Sequence, residues 1–499
     1  MRWRGLAVGF LWVAGCGGGG GGGGGGDDAP IPDAAMAVAR CDAPPLADTA
    51  TPTTTVGDGT AASCTADALQ AAATAGGVIV FSCGADPVTI TVASAITMTK
   101  ETIIDGGGKV TLSGGDASRI LYLDSGYDTP TPRLTVQRLT FIKGKSPATG
   151  EDTAQGGGAI YRDGGSLTVI DSVFTDNHGP EIGQDTAGGA IYGFGGGDTI
   201  IVGSSFNNNS CSDGGAVGNL NADLIVINSV FSGNAATGKL GNPGMGGAGG
   251  ALYQDGRDEM TSLCGVTIQN NTAGEIAGGV FRVSNDDSGT FAMDRSTVDG
   301  NKTTPTARGN AGGLYLQGVN ITITASTISR NQSFYNGGIW IANRNADLTN
   351  VTIAENTAFG SNGGGMWLGH SPTGTLKNCT IANNHSTADG QVAGAIFGDG
   401  LTLSNTIIAG NSAMYTPNCD KTHGAGATNL QFPGTAPCST DPTVADPLLG
   451  ALMDNGGDSE TMIPGTGSPA KGLGADCPAT DQLGHPRPTP CTAGAVEAP

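Results

Sequence analysis

The chain has 499 residues, 23 Lys and Arg against 44 Asp and Glu, and a formal net charge of -21. That balance excludes nucleic acid and anionic membrane surfaces as direct partners, since both are bound through Lys and Arg. Glycine supplies 87 residues and aromatics only 5%, so a thin, repetitive core of Ile, Val, Leu and Ala is expected; the absence of glycine at every third position excludes collagen.

In chain order, Arg2 and Arg4 precede a short apolar run, Leu6 to Val13, and then Ala14-Gly15-Cys16. The run is too short to span a bilayer, and small residues before a cysteine match a bacterial lipobox. Residues 1–15 are therefore expected to be a signal peptide, with Cys16 the lipidated residue and membrane anchor. The implied location is the bacterial outer membrane, facing outward. Residues 16–55, beginning with the run Gly17 to Gly26, read as a flexible tether spanning about 35 Å.

Residues 56–115 read as an N-terminal cap and entry coils. Thr65 is the expected N-cap of a short helix that stops at Gly76, with Val78 to Phe81 the strand that follows. Cys16 leaves ten other cysteines, an even number in an exported chain. Cys64 with Cys83, Cys419 with Cys438, and Cys477 with Cys491 are close enough in sequence to be paired. Cys41, Cys211, Cys264 and Cys379 are left open. No CxxC occurs, so no zinc site is expected. The acidic balance permits Ca²⁺, but turn-forming Asp explains most of it.

Residues 116–415 carry two alternating marks. One is Gly-Gly followed by apolar residues, as in Gly157-Gly158-Ala159-Ile160-Tyr161 and Gly249-Gly250-Ala251-Leu252-Tyr253. The other is an apolar residue, two variable positions, then Asn. These asparagines are Asn177, Asn209, Asn234, Asn271, Asn301, Asn331, Asn356, Asn384 and Asn411, spaced 32, 25, 37, 30, 30, 25, 28 and 27 residues apart. Between the marks lie runs rich in Val, Ile and Thr that read as strands, with no room for a crossover helix. A unit of this size cannot bury its apolar face alone and must stack on its neighbours. The predicted fold is all-β: a single right-handed parallel β-helix, helical cap at one end, irregular disulfide-rich cap over 416–499 at the other. The asparagines would form a ladder, each amide bonding the next coil, and Phe174, Phe206 and Phe231 would stack inside.

These alternating marks, over about residues 150–411, resemble the repeats of chlamydial polymorphic membrane proteins and, more broadly, the pectate-lyase-like β-helix superfamily. Asp446-Pro447-Leu448-Leu449-Gly450 through Gly494-Ala495-Val496-Glu497 resembles the choice-of-anchor Q region of bacterial surface proteins. The resemblance implies a monomeric surface rod acting as adhesin, recognition module or envelope element on glycans or neighbouring surface proteins. The alternative is a polysaccharide lyase or glycoside hydrolase acting on an acidic polysaccharide. Weak acidic candidates for that chemistry are Asp286 and Asp287 in a turn, and Glu181 and Asp185 in an insert beside His178. His370 and the scattered cations Lys143, Lys145, Arg162, Arg282, Arg295, Arg330 and Arg344 define no site by sequence. The non-catalytic reading is favoured, with inserts 144–157, 178–188 and 235–249 as the recognition surface.

Overall fold

The computed structural model describes residues 40–304, 309–370, 372–387, 392–424 and 428–499. Cys16, the expected signal peptide and the glycine run lie outside them. The described residues form one unit, a parallel β-solenoid of about 12 turns of the right-handed type.

The coils lay strands into four strips, the fourth present only in the middle of the stack. The first face stacks eleven strands, from Ile96–Met98 and Leu121–Asp124 through Leu252–Asp255 to Ile396–Phe397. The second face includes Ser166–Ile170, Thr199–Val202 and Leu224–Ile227; after a bend, the third includes Val173–Thr175, Ser205–Asn207 and Val230–Ser232. A narrow fourth strip holds two-residue strands such as Ser210–Cys211 and Ala235–Ala236.

Register is set by what must lie inside. Phe141, Phe174, Phe206 and Phe231 are paired in successive coils and stack with centroids 4.6–4.7 Å apart, matching the spacing of adjacent strands. The same column continues as Ile268, Val298, Ile328, Ile353, Ile381 and Ile408. At the corner after the third face, the nine asparagines form a continuous buried ladder. Each of the first eight donates its backbone N–H and its amide to Oδ1 of the next, as in Asn271 to Asn301 at 3.0 and 2.9 Å. The second amide hydrogen closes on a carbonyl one coil back, Phe231 for Asn271. The left-handed residue at this corner is the one before each asparagine, among them Asp176, Asn208, Asn270, Arg330 and Asn383, and not the ladder residue itself.

A second ladder stands at the bend between second and third faces. Ser172 N–H donates to Ser204 Oγ, and Ser204 N–H to Ser229 Oγ, both at 3.1 Å. Ser296 and Ser326 repeat the contact, and Cys379 occupies the equivalent place, its N–H donating to Thr406 Oγ1. The signal was a serine two residues before the apolar mark, hidden by Val266 and Val351 at the same position. At the Gly-Gly mark coils approach too closely for side chains: a Cβ on Gly250 would lie 2.1 Å from the Gly278 carbonyl oxygen.

The helix Ala66–Ala75 buries Leu69, Ala72 and Ala73, with the Thr65 hydroxyl accepting from Ala68 N–H and Gly76 at φ 77° ending it. It covers the first coils, where an open end would expose apolar side chains and strand edges. The disulfides are Cys41–Cys264, Cys64–Cys83, Cys419–Cys438 and Cys477–Cys491. Cys211 and Cys379 are buried free thiols.

The tether expected to run to residue 55 is seated on the rod from Arg40. Arg40 and Cys41 N–H groups both donate to Asn228 Oδ1 at 2.9 Å, and Ala47 N–H donates to Gln137 Oε1. Its Pro/Ala/Asp/Thr composition has no period, but its backbone groups find side-chain partners that periodicity does not report. Strands Leu430–Phe432 and Thr443–Val444 then extend the stack past residue 415. Beyond them the chain turns back along the third face. Gln482 bonds Thr327 and Thr352, Asn350 donates to the Thr480 carbonyl, and Asn378 to that of Thr492. An Arg40–Asp458 ion pair at 3.9 Å joins the two straps. The third face is thus covered, while the first keeps open ground.

Candidate functional site

Tyrosines of the Gly-Gly marks point outward from the first face. Tyr122, Tyr161 and Tyr192 follow one another, then, past Gly218, Tyr253, Phe281, Tyr315, Trp340 and Trp367. Neighbouring rings lie 4.0–5.8 Å apart within each run, the range of favourable stacking. The inserts fold over the first half of this stripe: Tyr161 and Tyr192 hydroxyls donate to the Thr153 and Asp185 carbonyls.

Where the inserts meet the turn between first and second faces, two hollows adjoin. One, of about 660 Å³, is lined by Tyr127, Gln184, Asp185, Asn242, Asp255 and Asn285, among others. The other, of about 620 Å³, is lined by Arg133, Asp198, Asp223, Asp258 and Glu259, among others. Asn221 and Arg257 line both, so the two form one cleft.

Beneath the first hollow, the hydroxyl of fully buried Tyr253 ties together three of its lining residues, Asp185, Asn242 and Asp255. It lies 2.7 Å from Asp185 Oδ1 and 3.3 Å from Asp255 Oδ2, and accepts from the Asn242 amide at 2.7 Å. Its single proton serves Asp185, while Asn242 uses its other hydrogen on Asp255 Oδ2 at 2.9 Å. Asp255 Oδ1 accepts from Gly256 N–H and the Asn285 amide. Burial, with Asp185 adding, raises the Asp255 carboxyl against these hydrogen bonds. Asp255 is presented by the end of its first-face strand, whereas Asp185 comes from an insert in left-handed backbone at φ 57°.

In the second hollow Arg133 pairs with Asp198 at 2.6 Å and donates to Thr168 Oγ1. Glu259 is pushed up to about 7 by burial, opposed by the Arg257 N–H and by Arg282. Arg282 is wholly buried beneath it, 3.9 Å away, and donates to the Val283 and Glu259 carbonyls. Arg162 is buried likewise, donating to the Gly165 carbonyl at 2.8 Å. Both are interior struts of the turns.

Of the sequence candidates, only Asp185 enters the cleft. Asp286 sits in the rim turn, where the hydroxyls of Ser288 and Ser284 hold its carboxyl below the usual range. Asp287 beside it is in left-handed backbone, and both are exposed. Glu181 is exposed on its insert, its carbonyl accepting from Thr237. His178 contacts Ser210 Oγ at 2.8 Å, and His370 is an exposed left-handed turn residue. Lys143 and Lys145 are exposed and Arg344 half-buried. Arg295 is tied to Asp294 and Arg330 to Asp299. Sequence reading missed Tyr253, Asp255, Asn242, Arg133 and Arg257. Tyr253 and Asp255 belong to a Gly-Gly mark, and a Tyr followed two residues on by an acid was the available signal.

Among the described residues, the one group with close metal-ligating atoms is Cys41, Cys264 and Asp294. The disulfide uses both sulfurs, which removes it as a metal site. No described helix is long and apolar enough to cross a membrane.

No family model and no curated protein matches the chain. Among solved structures, a PL6 alginate lyase in complex with a trisaccharide is similar over 81% of this chain and 88% of its own, at 13% identity and TM-score 0.41. PfbA, a surface adhesin of Streptococcus pneumoniae, covers 82% and 99% at 9% identity and TM-score 0.30. The A-module of the Azotobacter vinelandii mannuronan C-5 epimerase AlgE6 covers 79% and 97% at 14% identity and TM-score 0.26. At such values these proteins carry no argument about chemistry here, and the fold rests on this chain's own strand register.

Proposed function

We propose that this chain is a lipid-anchored surface rod, held through Cys16, that binds a glycan in the first-face cleft without turning it over. The observation that carries this reading is the closed hydrogen-bond set around Tyr253. Asp185, Asp255, Asn242 and Asn285 already hold one another, so they offer fixed acceptors and amides rather than an idle proton carrier. Rigid polar groups in a hollow beside aromatic rings suit a hydroxyl-rich ligand. The lining carries Asp185, Asp198, Asp223, Asp255, Asp258 and Glu259 against Arg133 and Arg257. A neutral or amine-bearing glycan therefore fits better than a uronate polymer, whose carboxylates would meet like charge.

The test is retention of the mature chain on immobilised neutral, amine-bearing and uronate glycans, with Tyr253→Phe as the variant. Retention on the first two, weakened at least several-fold in the variant, is expected. Equal retention on uronates would refute the ligand class. Glu259, whose carboxyl titrates near neutrality beside the cleft, favours hydrolysis or lyase chemistry as the second reading. New reducing ends or unsaturated products, lost in Glu259→Gln, would replace the binding reading with it. Acyl labelling of wild type against Cys16→Ala tests the anchor, and equal labelling would end that part.

A further inference from the structure

The stacked rings of the first face do not reach the hollows of the cleft: Tyr253 lies beneath them, fully buried. Among the residues lining the two hollows, Tyr127 is the one aromatic side chain, and it is 37% exposed. Tyr127 comes from far up the rod. It stands in the turn 125–132, which follows the first-face strand Leu121–Asp124. Phe194 ends the first-face strand two coils further on, and Asn221 follows the strand three coils on. The turn therefore overhangs two coils before it delivers the ring to the hollow.

Glycines clear its path. In the next coil the corresponding turn is Gly164-Gly165 alone, and a Cβ on Gly164 would lie 1.9 Å from the Gly126 carbonyl oxygen. One coil further, a Cβ on Gly195 would lie 2.5 Å from Tyr127 Cδ2 and 2.7 Å from Cε2, so the ring rests on that glycine's backbone. Both glycines are in left-handed backbone, at φ 68° and 62°, which glycine adopts without strain. From below, the buried Arg162 guanidinium donates to the Gly165, Gly195 and Gly197 carbonyls and fixes this floor. The Tyr127 ring packs against Phe194 at 4.7 Å and 53°, and Asn221, which lines both hollows, partners its hydroxyl. Floor, neighbouring ring and hydroxyl partner hold the side chain in one orientation. A tyrosine fixed in this way offers a flat, amphipathic surface and loses little freedom when a ligand meets it.

We propose that Tyr127 is the platform on which one pyranose ring of the ligand stacks, so that the cleft takes pyranose glycans in preference to furanose chains. The proposal rests on the glycan reading above and narrows it. A pyranose chair presents a flat patch of C–H groups on its face, which suits the negative face of an aromatic ring, while its equatorial hydroxyls radiate sideways. Here those hydroxyls would meet the polar lining of the same hollow, Gln184, Asp185 and Asn285. A furanose ring is smaller and puckered, and offers no comparable patch.

The experiment titrates the mature chain with cello-, xylo-, galacto-, manno- and chitosan oligosaccharides, and with inulin oligosaccharides as the furanose control. Ligand proton resonances are followed by nuclear magnetic resonance. At least one pyranose oligosaccharide should bind, with ring protons of one sugar unit shifted upfield by the tyrosine ring current. Tyr127→Phe keeps the ring and should bind within about twofold of wild type with the upfield shift intact. Tyr127→Leu, apolar and without a ring current, should lose the shift and weaken binding about fivefold or more. Because Tyr127 is exposed, both variants should unfold at the wild-type temperature. Should Tyr127→Leu not fold, the upfield shift in wild type and in Tyr127→Phe decides. Binding of a pyranose oligosaccharide without an upfield shift, an unchanged affinity in Tyr127→Leu, or binding of the inulin oligosaccharides alone would overturn the platform and leave glycan binding standing. Binding of none of these probes would remove both readings.

Discussion

Replacing Asn301 by alanine tests the ladder at its middle. Asn301 is fully buried. Its Oδ1 accepts the Asn271 N–H at 3.0 Å and the Asn271 amide at 2.9 Å, and its own amide donates to the Ile268 carbonyl and Asn331 Oδ1 at 2.9 and 3.0 Å. Alanine removes all four side-chain hydrogen bonds and strands the Asn271 N–H and the Ile268 carbonyl in the interior. At about 1 kcal/mol net for each bond the loss is about 4 kcal/mol, and the stranded groups hold it at that level by their lost solvation. Asn411 ends the ladder with three such bonds, so Asn411→Ala should cost less. Exposed Gln332→Ala should stay within about 0.5 kcal/mol. Urea unfolding followed by far-ultraviolet circular dichroism gives the ranking. Because a solenoid need not unfold in one step, native-state hydrogen exchange should place the lost protection in the coils bearing Asn271 to Asn331. If Asn301→Ala were no more destabilising than Gln332→Ala, the ladder would be ornament rather than a support of the stack.

Phe206→Ala opens a void between Phe174 and Phe231, each 4.6 Å away, and should cost about 3–5 kcal/mol in the same assay. Cys41→Ser should loosen the Arg40–Thr53 strap, read as new proteolysis there while the coils stay protected, because its remaining contacts are part-buried hydrogen bonds and the 3.9 Å ion pair of Arg40 with Asp458. Glu259 titrates at about 7 in the fold against an ordinary 4.5. Its raised value means the folded chain binds the extra proton, so its favourable contribution is present below pH 4.5 and lost as pH rises to about 7. Glu259→Gln should flatten that part of the stability–pH curve, and an unchanged slope would contradict the assignment.

The repeat was legible because its causes are local and recur. Alternating Val, Ile and Thr dictate strands, Asn at each corner binds its copy one coil away, and Phe141, Phe174, Phe206 and Phe231 stack because equal register brings them 4.6–4.7 Å apart. The serine ladder was less legible, since valine interrupts it at positions 266 and 351, where the Val266 N–H still donates to Ser296 Oγ but the side chain offers no acceptor to the coil before it. The cleft was barely legible. Asp185, Asn242, Tyr253 and Asp255 meet through inserts of unequal length, and of these only Asp185 was singled out; the conspicuous pair Asp286–Asp287 satisfies itself within its own turn.

By itself the sequence determined that coils form and stack, and which residues face inward, because each such choice is repeated and needs only a neighbour like itself. The tertiary structure alone decided where the aperiodic segments go: the Arg40 strap and the returning C-terminal region lie over the third face, joined at Arg40 and Asp458. Their partners, Asn228, Cys264, Thr327 and Asn378, are single residues scattered over distant coils. A contact made once leaves no period to read, and it is these single contacts that cover one face of the rod and leave the other open.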